Sequence, residues 1–342
     1  MMNNEKITFK DWFADKKATF KDPIKRKVAT KDLMVFLGSL LRTILLIGLC
    51  FIIILPILEK ISTAIRDYKD INNPNVIWIP ENVSLFTLTF AWELLDYGHT
   101  FWNTLLISSL CTVIQVFSCA IAGYAFARLK FKGSSIFFYL TLLTLVVPNE
   151  ALHRSRVLFL GTYSFFGIKL IGNVLSMFLI SAFGQGIRSA IFIFLFRQSF
   201  KGIPIELEES AQVDGAGVIR TFWNVMLPNA RGAIVTVSLF AFVWQWNDYY
   251  FASLFQYGED TMPLLAYKLG SGSEAIATII STWVAEGRHV VEGLSIADAT
   301  DSLFISLITN TGALLMMLPL LIAYFFVQKL FVESIERTGI TG

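Results

Sequence analysis

Apolar residues in this chain gather in long unbroken stretches separated by polar segments, not in the alternation of a half-buried strand or the narrow stripe of a surface helix. A hydrocarbon core needs about 20 apolar residues per helix, fewer where tilt or neighbouring helices help. Six stretches meet that condition: residues 33–58, 103–129, 135–148, 172–196, 232–255 and 303–330. The third is the shortest and ends at Pro148. Between it and the fourth, residues 151–171 are apolar but interrupted by His153, Arg154, Arg156, Gly161 and Gly167, which predicts an external or re-entrant connection. The expected fold class is all-α integral membrane, with six transmembrane helices and a cytoplasmic insert. The expected organisation is a basic tail (1–32), a first helix with an extracellular loop (33–102), and a five-helix core (103–330). That core holds an insert at 197–231 and an external loop at 256–302, and a short cytoplasmic tail (331–342) follows it.

Composition sharpens this picture. Of 342 residues, 55% are hydrophobic and only 16% charged, against about a quarter charged in a soluble domain. Disorder, collagen and coiled coil are excluded by the apolar content, the aperiodic glycines and the lack of heptads. A formal net charge of +2 excludes a generally nucleic-acid-seeking protein, and its distribution gives an orientation. Nine Lys/Arg precede Leu33, and Arg128, Lys130 and Lys132 follow the second stretch, whereas loop 256–302 has two bases against seven acids. Basic segments stay inside, so both termini are expected on the cytoplasmic side of a cell membrane. The apolar run starts too late, and without a cleavage site, for a removable signal peptide, so an uncleaved first span is expected. Cys50, Cys111 and Cys119 lie inside apolar runs and read as small apolar residues. In the tail, Phe9, Trp12, Phe13 and Phe20 share one helical face among lysines, open to two readings: an interfacial helix on anionic lipid, or a solvated tail.

The most informative segment lies between the fourth and fifth stretches. Pro204 suits a first helical turn, and Glu206, Glu208 and Glu209 then sit near the positive end of the helix dipole. Leu207, Ala211 and Gln212 share a face, and Gly215 and Gly217 permit a sharp stop. A second short helix is expected from about Val218 to Val225, ended by Leu227-Pro228. The segment reads Glu209-Ser210-Ala211, three residues, Gly215, nine residues, then Val225-Met226-Leu227-Pro228. This resembles the cytoplasmic signature of the integral-membrane permeases of ATP-binding-cassette importers, E-A-A, three residues, G, nine residues, I-x-L-P, with every spacing kept. Ser210 and Val225 are the departures. The flanking run from Phe194 to Glu209, the Asp214-Gly-Ala step and Trp246-Asn247-Asp248 look like carbohydrate-uptake permeases of the maltose/oligosaccharide type, second-permease class. The likeness covers roughly residue 103 to the carboxyl terminus.

The resemblance implies that the insert is a coupling helix seated on a cytoplasmic ATPase dimer, with Glu209, Ala211, Asp214, Gly215, Ala216, Leu227 and Pro228 carrying the contact. It implies a second permease subunit, usually a different chain, and an extracellular solute-binding protein that delivers a carbohydrate. No phosphate-binding loop, nucleophile–base pair or metal-ligand cluster is legible, so no enzyme activity and no cofactor are expected, with ATP bound by the partner. Within the fifth stretch, Trp244, Asn247, Asp248 and Phe251 would share one face of a continuous helix. An aromatic plate beside hydrogen-bonding groups suits a sugar, but the same groups also lock helix packing. Arg188, with Gln185 nearby, is open to three roles: partner to Asp248, ligand for an acidic sugar, or snorkelling side chain. Gln115, Ser118, Asn310 and Thr311 read as packing contacts. Loop 256–302 is either a docking surface for the binding protein or a solvated loop. Thr341 stands where the resembled family usually has Lys, which argues against an ATPase contact by the tail. The alternatives to a sugar importer are a passive channel or scaffold whose insert binds another partner, and a permease for a non-sugar solute.

Overall fold

A computed structural model describes residues 23–71, 73–255, 262–288 and 296–339. The aromatic face of the tail, residues 256–261 and 289–295 of the expected external loop, and Thr341 lie outside the described residues. Contacts divide the chain into residues 1–59 and 60–342. In the first unit the structure describes the helix α1 (Pro23–Ala64), whose last residues belong to the second unit. It begins at Pro23, ahead of the apolar run, because proline's missing N–H costs nothing in a first turn. Leu37, Leu41, Ile44, Ile47, Phe51 and Ile54 are all exposed. Residues 43–54 are uncharged and exposed at every position, and such a stretch has lipid as its solvent.

In the second unit, α2 (Phe86–Leu94) leads into α3 (Tyr97–Arg128). The 32 residues of α3 span about 48 Å. Its buried face recurs at three- and four-residue steps through Asn103, Thr104, Ile107, Ser108, Cys111, Gln115, Cys119 and Gly123. Trp102, Leu106, Leu110, Val113 and Ile121 remain exposed on the other side. Small residues toward the protein and large apolar ones toward lipid is the packing rule of membrane helices. Cys111 and Cys119 are buried in that face.

The next two expected spans are shorter than expected. The third is α4 (Ser134–Leu143), whose ten residues reach only about 15 Å. Residues 149–171 hold a 3₁₀ turn, α5 (His153–Thr162) and a hairpin of β1 (Ser164–Phe165) with β2 (Ile168–Lys169). The fourth is broken between α6 (Leu175–Ala182) and α7 (Ser189–Gly202), with Arg188 left-handed at the break. The insert follows as α8 (Ile205–Val213), α9 (Val218–Thr221), a π turn at Phe222–Met226 and α10 (Leu227–Asn229). Pro228 therefore lies in the first turn of α10 and does not end a helix. The chain turns by 80° between the Val218–Asn229 segment and α11 (Arg231–Trp246). The fifth span is also interrupted, since α12 (Tyr250–Phe255) starts only after a break at Asn247.

The expected external loop contains a helix of 21 residues, α13 (Leu265–Ala285), with Ile276, Ile280 and Trp283 buried along one face. Gly270-Ser-Gly-Ser273 reads as a loop in sequence, yet Gly270 accepts the ring of Tyr249 and Gly272 the side chain of Leu94. Close packing, not a turn, requires these glycines. Finally α14 (Ser302–Gly339) runs through Pro319. Among the described residues, three helices are long and apolar enough to cross a membrane, Thr30–Ala64, Tyr97–Arg128 and Ser302–Lys329, or four with the bent pair.

Among the described residues, three apolar clusters hold the second unit together. Phe90, Trp246, Leu265, Ile280, Trp283 and Phe304 join α2, α13 and α14 to the end of α11. Cys119, Tyr124, Phe196, Phe200, Phe222 and Val237 join α3, α7, the π turn and α11. Ile107, Cys111, Leu160, Met177 and Phe251 join α3 to α5, α6 and α12. Helix α3 contributes to each cluster and is the spine of the unit.

Candidate functional site

The insert is built by a start signal and a stop signal. Pro204 stands in extended conformation before α8, and Glu206 and Glu208 occupy its first turn, where acids complement the dipole. At the other end Gly215 adopts φ +79°, a left-handed backbone that glycine enters freely. Gly215 N–H donates to the Gln212 carbonyl and Ala216 N–H to that of Ala211 at 2.9 Å, the paired bonds of a Schellman stop. Glu209, Asp214, Gly215 and Pro228 are exposed, and Ala211, Ala216 and Leu227 half-buried. Val213 and Ile219 are 87% and 75% exposed, so the tip presents apolar side chains outward. Isolated exposed apolar residues are ordinary, but several on one rigid protrusion mark a contact surface.

On the face of Leu207, Ala211 and Gln212, Leu207 and Gln212 are exposed and Ala211 is half-buried. The buried residue of α8 is Glu208. Its Oε1 accepts the Tyr124 hydroxyl at 3.0 Å, and its Oε2 lies 3.5 Å from Arg128 Nε. Arg128 Nη2 donates to the carbonyls of Phe200, at 2.8 Å, and Ile203. Nothing in the sequence separates Glu208 from its neighbours Glu206 and Glu209, because its burial arises where α3 and α7 meet.

The residues expected on one face of the fifth helix do not share one, since α11 ends at Trp246. The Trp244 ring stacks on Phe192 with centroids 5.3 Å apart, and the Arg188 guanidinium lies 4.8 Å from the same ring. Asp248 is occupied by α12, accepting the Phe251 N–H at 2.8 Å; among the described residues it forms no ion pair with Arg188. Phe251 is buried, with the Arg156 guanidinium 5.1 Å from its ring. Gln185, Arg188, Arg156 and Ser189 line a cavity of about 470 Å³ at the α6–α7 break. Asn247 lines a different one, about 560 Å³, with Tyr249, Thr309 and Met316. Gln115 Nε2 donates to the Ile187 carbonyl and to Ser189 Oγ, both at 2.8 Å, and Ser118 donates to the Ser181 carbonyl. Asn310 accepts from Lys60 at 2.7 Å, and Thr311 donates to the Leu307 carbonyl within its own helix.

A third polar region surrounds α2 and α13. Glu93 accepts the Trp283 indole N–H at 2.6 Å and pairs with Arg288. Tyr68 donates to Asp298 at 2.7 Å, and burial, then that carboxylate, push its phenol up to about 12. Burial alone would raise the Asp70 carboxyl. The Asn82 backbone and side-chain N–H bonds, the Glu81 N–H and the Arg66 charge outweigh it and hold the group below the usual carboxylate range.

Residues 119–337 match the family model described as binding-protein-dependent transport system inner membrane component. The maltodextrin transport system permease protein of Streptococcus pneumoniae is 29% identical over 305 residues, 87% of this chain and 93% of that one. The probable starch degradation products transport system permease protein of Thermoanaerobacterium thermosulfurigenes is 26% identical over 313 residues, 91% and 97% of the two chains. The fold is similar to a chain in the crystal structure of a bacterial ABC transporter involved in the import of the acidic polysaccharide alginate. The TM-score is 0.62 at 21% identity, covering 86% of this chain and 96% of that one.

Proposed function

This chain belongs to the binding-protein-dependent transport system inner membrane components, and from that premise we propose that it is the translocating subunit of an ATP-driven importer of a sugar or oligosaccharide. It is a transport subunit and not an enzyme, and ATP hydrolysis belongs to a partner subunit. Relatives named for maltodextrin and for starch degradation products support a saccharide cargo. We place six crossings in the membrane: α1, α3, α4 with residues 144–148, α6 with α7, α11 with α12, and α14. Both termini and the insert then face the cytoplasm, in keeping with the basic flanks at Arg128, Lys130 and Lys132.

The observation that carries the coupling role is the apolar tip of the insert. A short helix held between Pro204 and a Schellman stop is stiff, and Val213 and Ile219 stand out from it. Such a knob suits a groove on a cytoplasmic ATPase, with Glu209, Ala211, Asp214, Gly215, Ala216, Leu227 and Pro228 in or beside the contact. A second permease completes the membrane unit. The region of α2 and α13, where Ile77, Ile79 and Leu85 are exposed, faces the solute-binding protein. Cargo passes Gln185, Arg188 and Asn247, which line the cavities beside two helix breaks, the setting in which transporters build midplane sites. Trp244, Asp248 and Phe251 hold those breaks in shape.

The test is uptake into proteoliposomes holding the full assembly, with cargo-loaded binding protein outside and ATP within. ATP-dependent saccharide accumulation is expected. Glu209→Lys and Gly215→Trp should abolish it while leaving insertion intact, the first by reversing a charge on the contact surface and the second by adding bulk there and straining the φ +79° turn that shapes it. Saccharide flux without the ATPase would overturn the reading in favour of a passive channel.

A further inference from the structure

Several elements of the insert and the membrane helices converge on one buried polar knot. Glu208 is on the first helix of the insert, Arg128 is the last residue of α3, and Tyr124 lies one turn before it. The Glu208 and Arg128 side chains are only 11% and 10% exposed. Arg128 also reaches the Phe200 carbonyl at the end of α7 and the Ile203 carbonyl in the link to α8. There it caps helix ends whose dipoles favour a cation. The Tyr124 ring lies 5.8 Å from Phe200 and 5.3 Å from Phe222, the first residue of the π turn on the return arm of the insert. One turn of α3 is thus tied to the outgoing arm by Glu208, to the return arm by Phe222 and to α7 by Arg128. Gly123, beside Tyr124, brings the backbones of α3 and α7 together, because a Cβ there would stand 2.5 Å from that of Phe196.

Net stability does not explain such a knot. A buried ion pair gains about as much from attraction as it loses on leaving water, and apolar side chains of similar volume often do as well. What paired charges with directed hydrogen bonds do supply is one fixed arrangement, and a lever needs that at its fulcrum. We infer that Glu208, with Arg128 and Tyr124, is the positioning joint through which movement of the insert is delivered to α3 and α7 as one body. Glu208 touches neither cargo nor nucleotide. Without it the insert still meets its partner, but its displacement is absorbed at the root of the knob.

This rests on the reading of the insert as the ATPase contact, and the experiment separates the two. In the complete assembly in proteoliposomes, saccharide moved per ATP hydrolysed is measured together with KM for loaded binding protein. Glu208→Ala should lower the transport-to-hydrolysis ratio at least tenfold, with assembly, basal hydrolysis and KM unchanged. Glu208→Gln, which keeps an acceptor for Tyr124 and loses the charge, should fall between it and wild type. Tyr124→Phe should lower the ratio a few-fold, and Glu208→Asp should restore part of it. A merely structural residue would reduce the amount of assembled protein and leave the ratio alone. A wild-type ratio in Glu208→Ala, while Glu209→Lys abolishes uptake, overturns the joint and leaves the docking surface standing. Normal uptake by Glu209→Lys overturns the docking reading itself. If Glu208→Ala does not assemble, Glu208→Gln and Tyr124→Phe decide, and wild-type ratios in both overturn the joint.

Discussion

Replacing Gly123 by alanine tests how closely α3 and α7 are packed. The added methyl carbon would stand 2.5 Å from Phe196 Cβ, 3.0 Å from the Arg197 nitrogen and 3.2 Å from the Ile193 carbonyl oxygen. Carbon atoms rest at about 3.5–4.0 Å, so the helices must separate by about 1 Å. No rotamer change relieves this, because Phe196 Cβ is fixed to the helix and the other two contacts are backbone. Overpacking of this kind costs about 1–3 kcal/mol. Alanine is the better helix former by up to about 1 kcal/mol, which offsets only part of that. Because all three contacts are fixed to the backbone, the overpacking lies near the upper end of that range and a net loss of about 2 kcal/mol is expected, read from reversible unfolding of the purified protein in mixed micelles by tryptophan fluorescence. Gly48→Ala, inside α1 with nothing within 4 Å of the new carbon, keeps the helix gain without the clash and should be neutral or slightly stabilising. A Gly123→Ala protein as stable as wild type, or an equal loss in Gly48→Ala, would refute the close approach and weaken the case for a rigid joint one residue away.

Two further outcomes are expected. The Asp70 carboxyl is held below its ordinary range, so its contribution to stability is complete above the unfolded value of about 4 and fades as pH falls through the lower folded one. The protection of the Asn82 amide against hydrogen exchange, taken relative to its intrinsic rate at each pH, should therefore fall in acid, and Asp70→Asn should show low protection at every pH; acid-independent protection in wild type would contradict this. Trp246→Phe removes the indole N–H that donates to the Met316 carbonyl at 3.1 Å inside the first apolar cluster. It should cost about 1–3 kcal/mol, and an unchanged unfolding midpoint would remove that bond from the account.

What the sequence made legible were features set by local chain chemistry. The apolar runs of α1, α3 and α14 are long enough that bilayer thickness alone identifies them, and the 197–231 segment carries its start and stop in Pro204 and Gly215. What it concealed depends on which surfaces meet. Gly270 and Gly272 looked like loop residues because a glycine written in sequence does not show whether it turns the chain or admits a neighbour's ring. Asp248 looked like an acid on a helical face, yet its carboxylate starts the next helix and so breaks the one it was placed on. Glu208 was indistinguishable from two adjacent acids until α3 and α7 closed over it.

The contrast between α1 and α3 bears on biogenesis. The polar atoms of Asn103, Thr104, Gln115 and Ser118 on α3 find partners partly in residues 181–189 and 263–265, which leave the ribosome much later. Until then α3 holds a costly set of amides and hydroxyls in lipid. The uncharged stretch 43–58 of α1 carries no such debt and can partition laterally from the translocon as soon as it emerges. It is the segment able to moor the nascent chain while the rest waits for its partners.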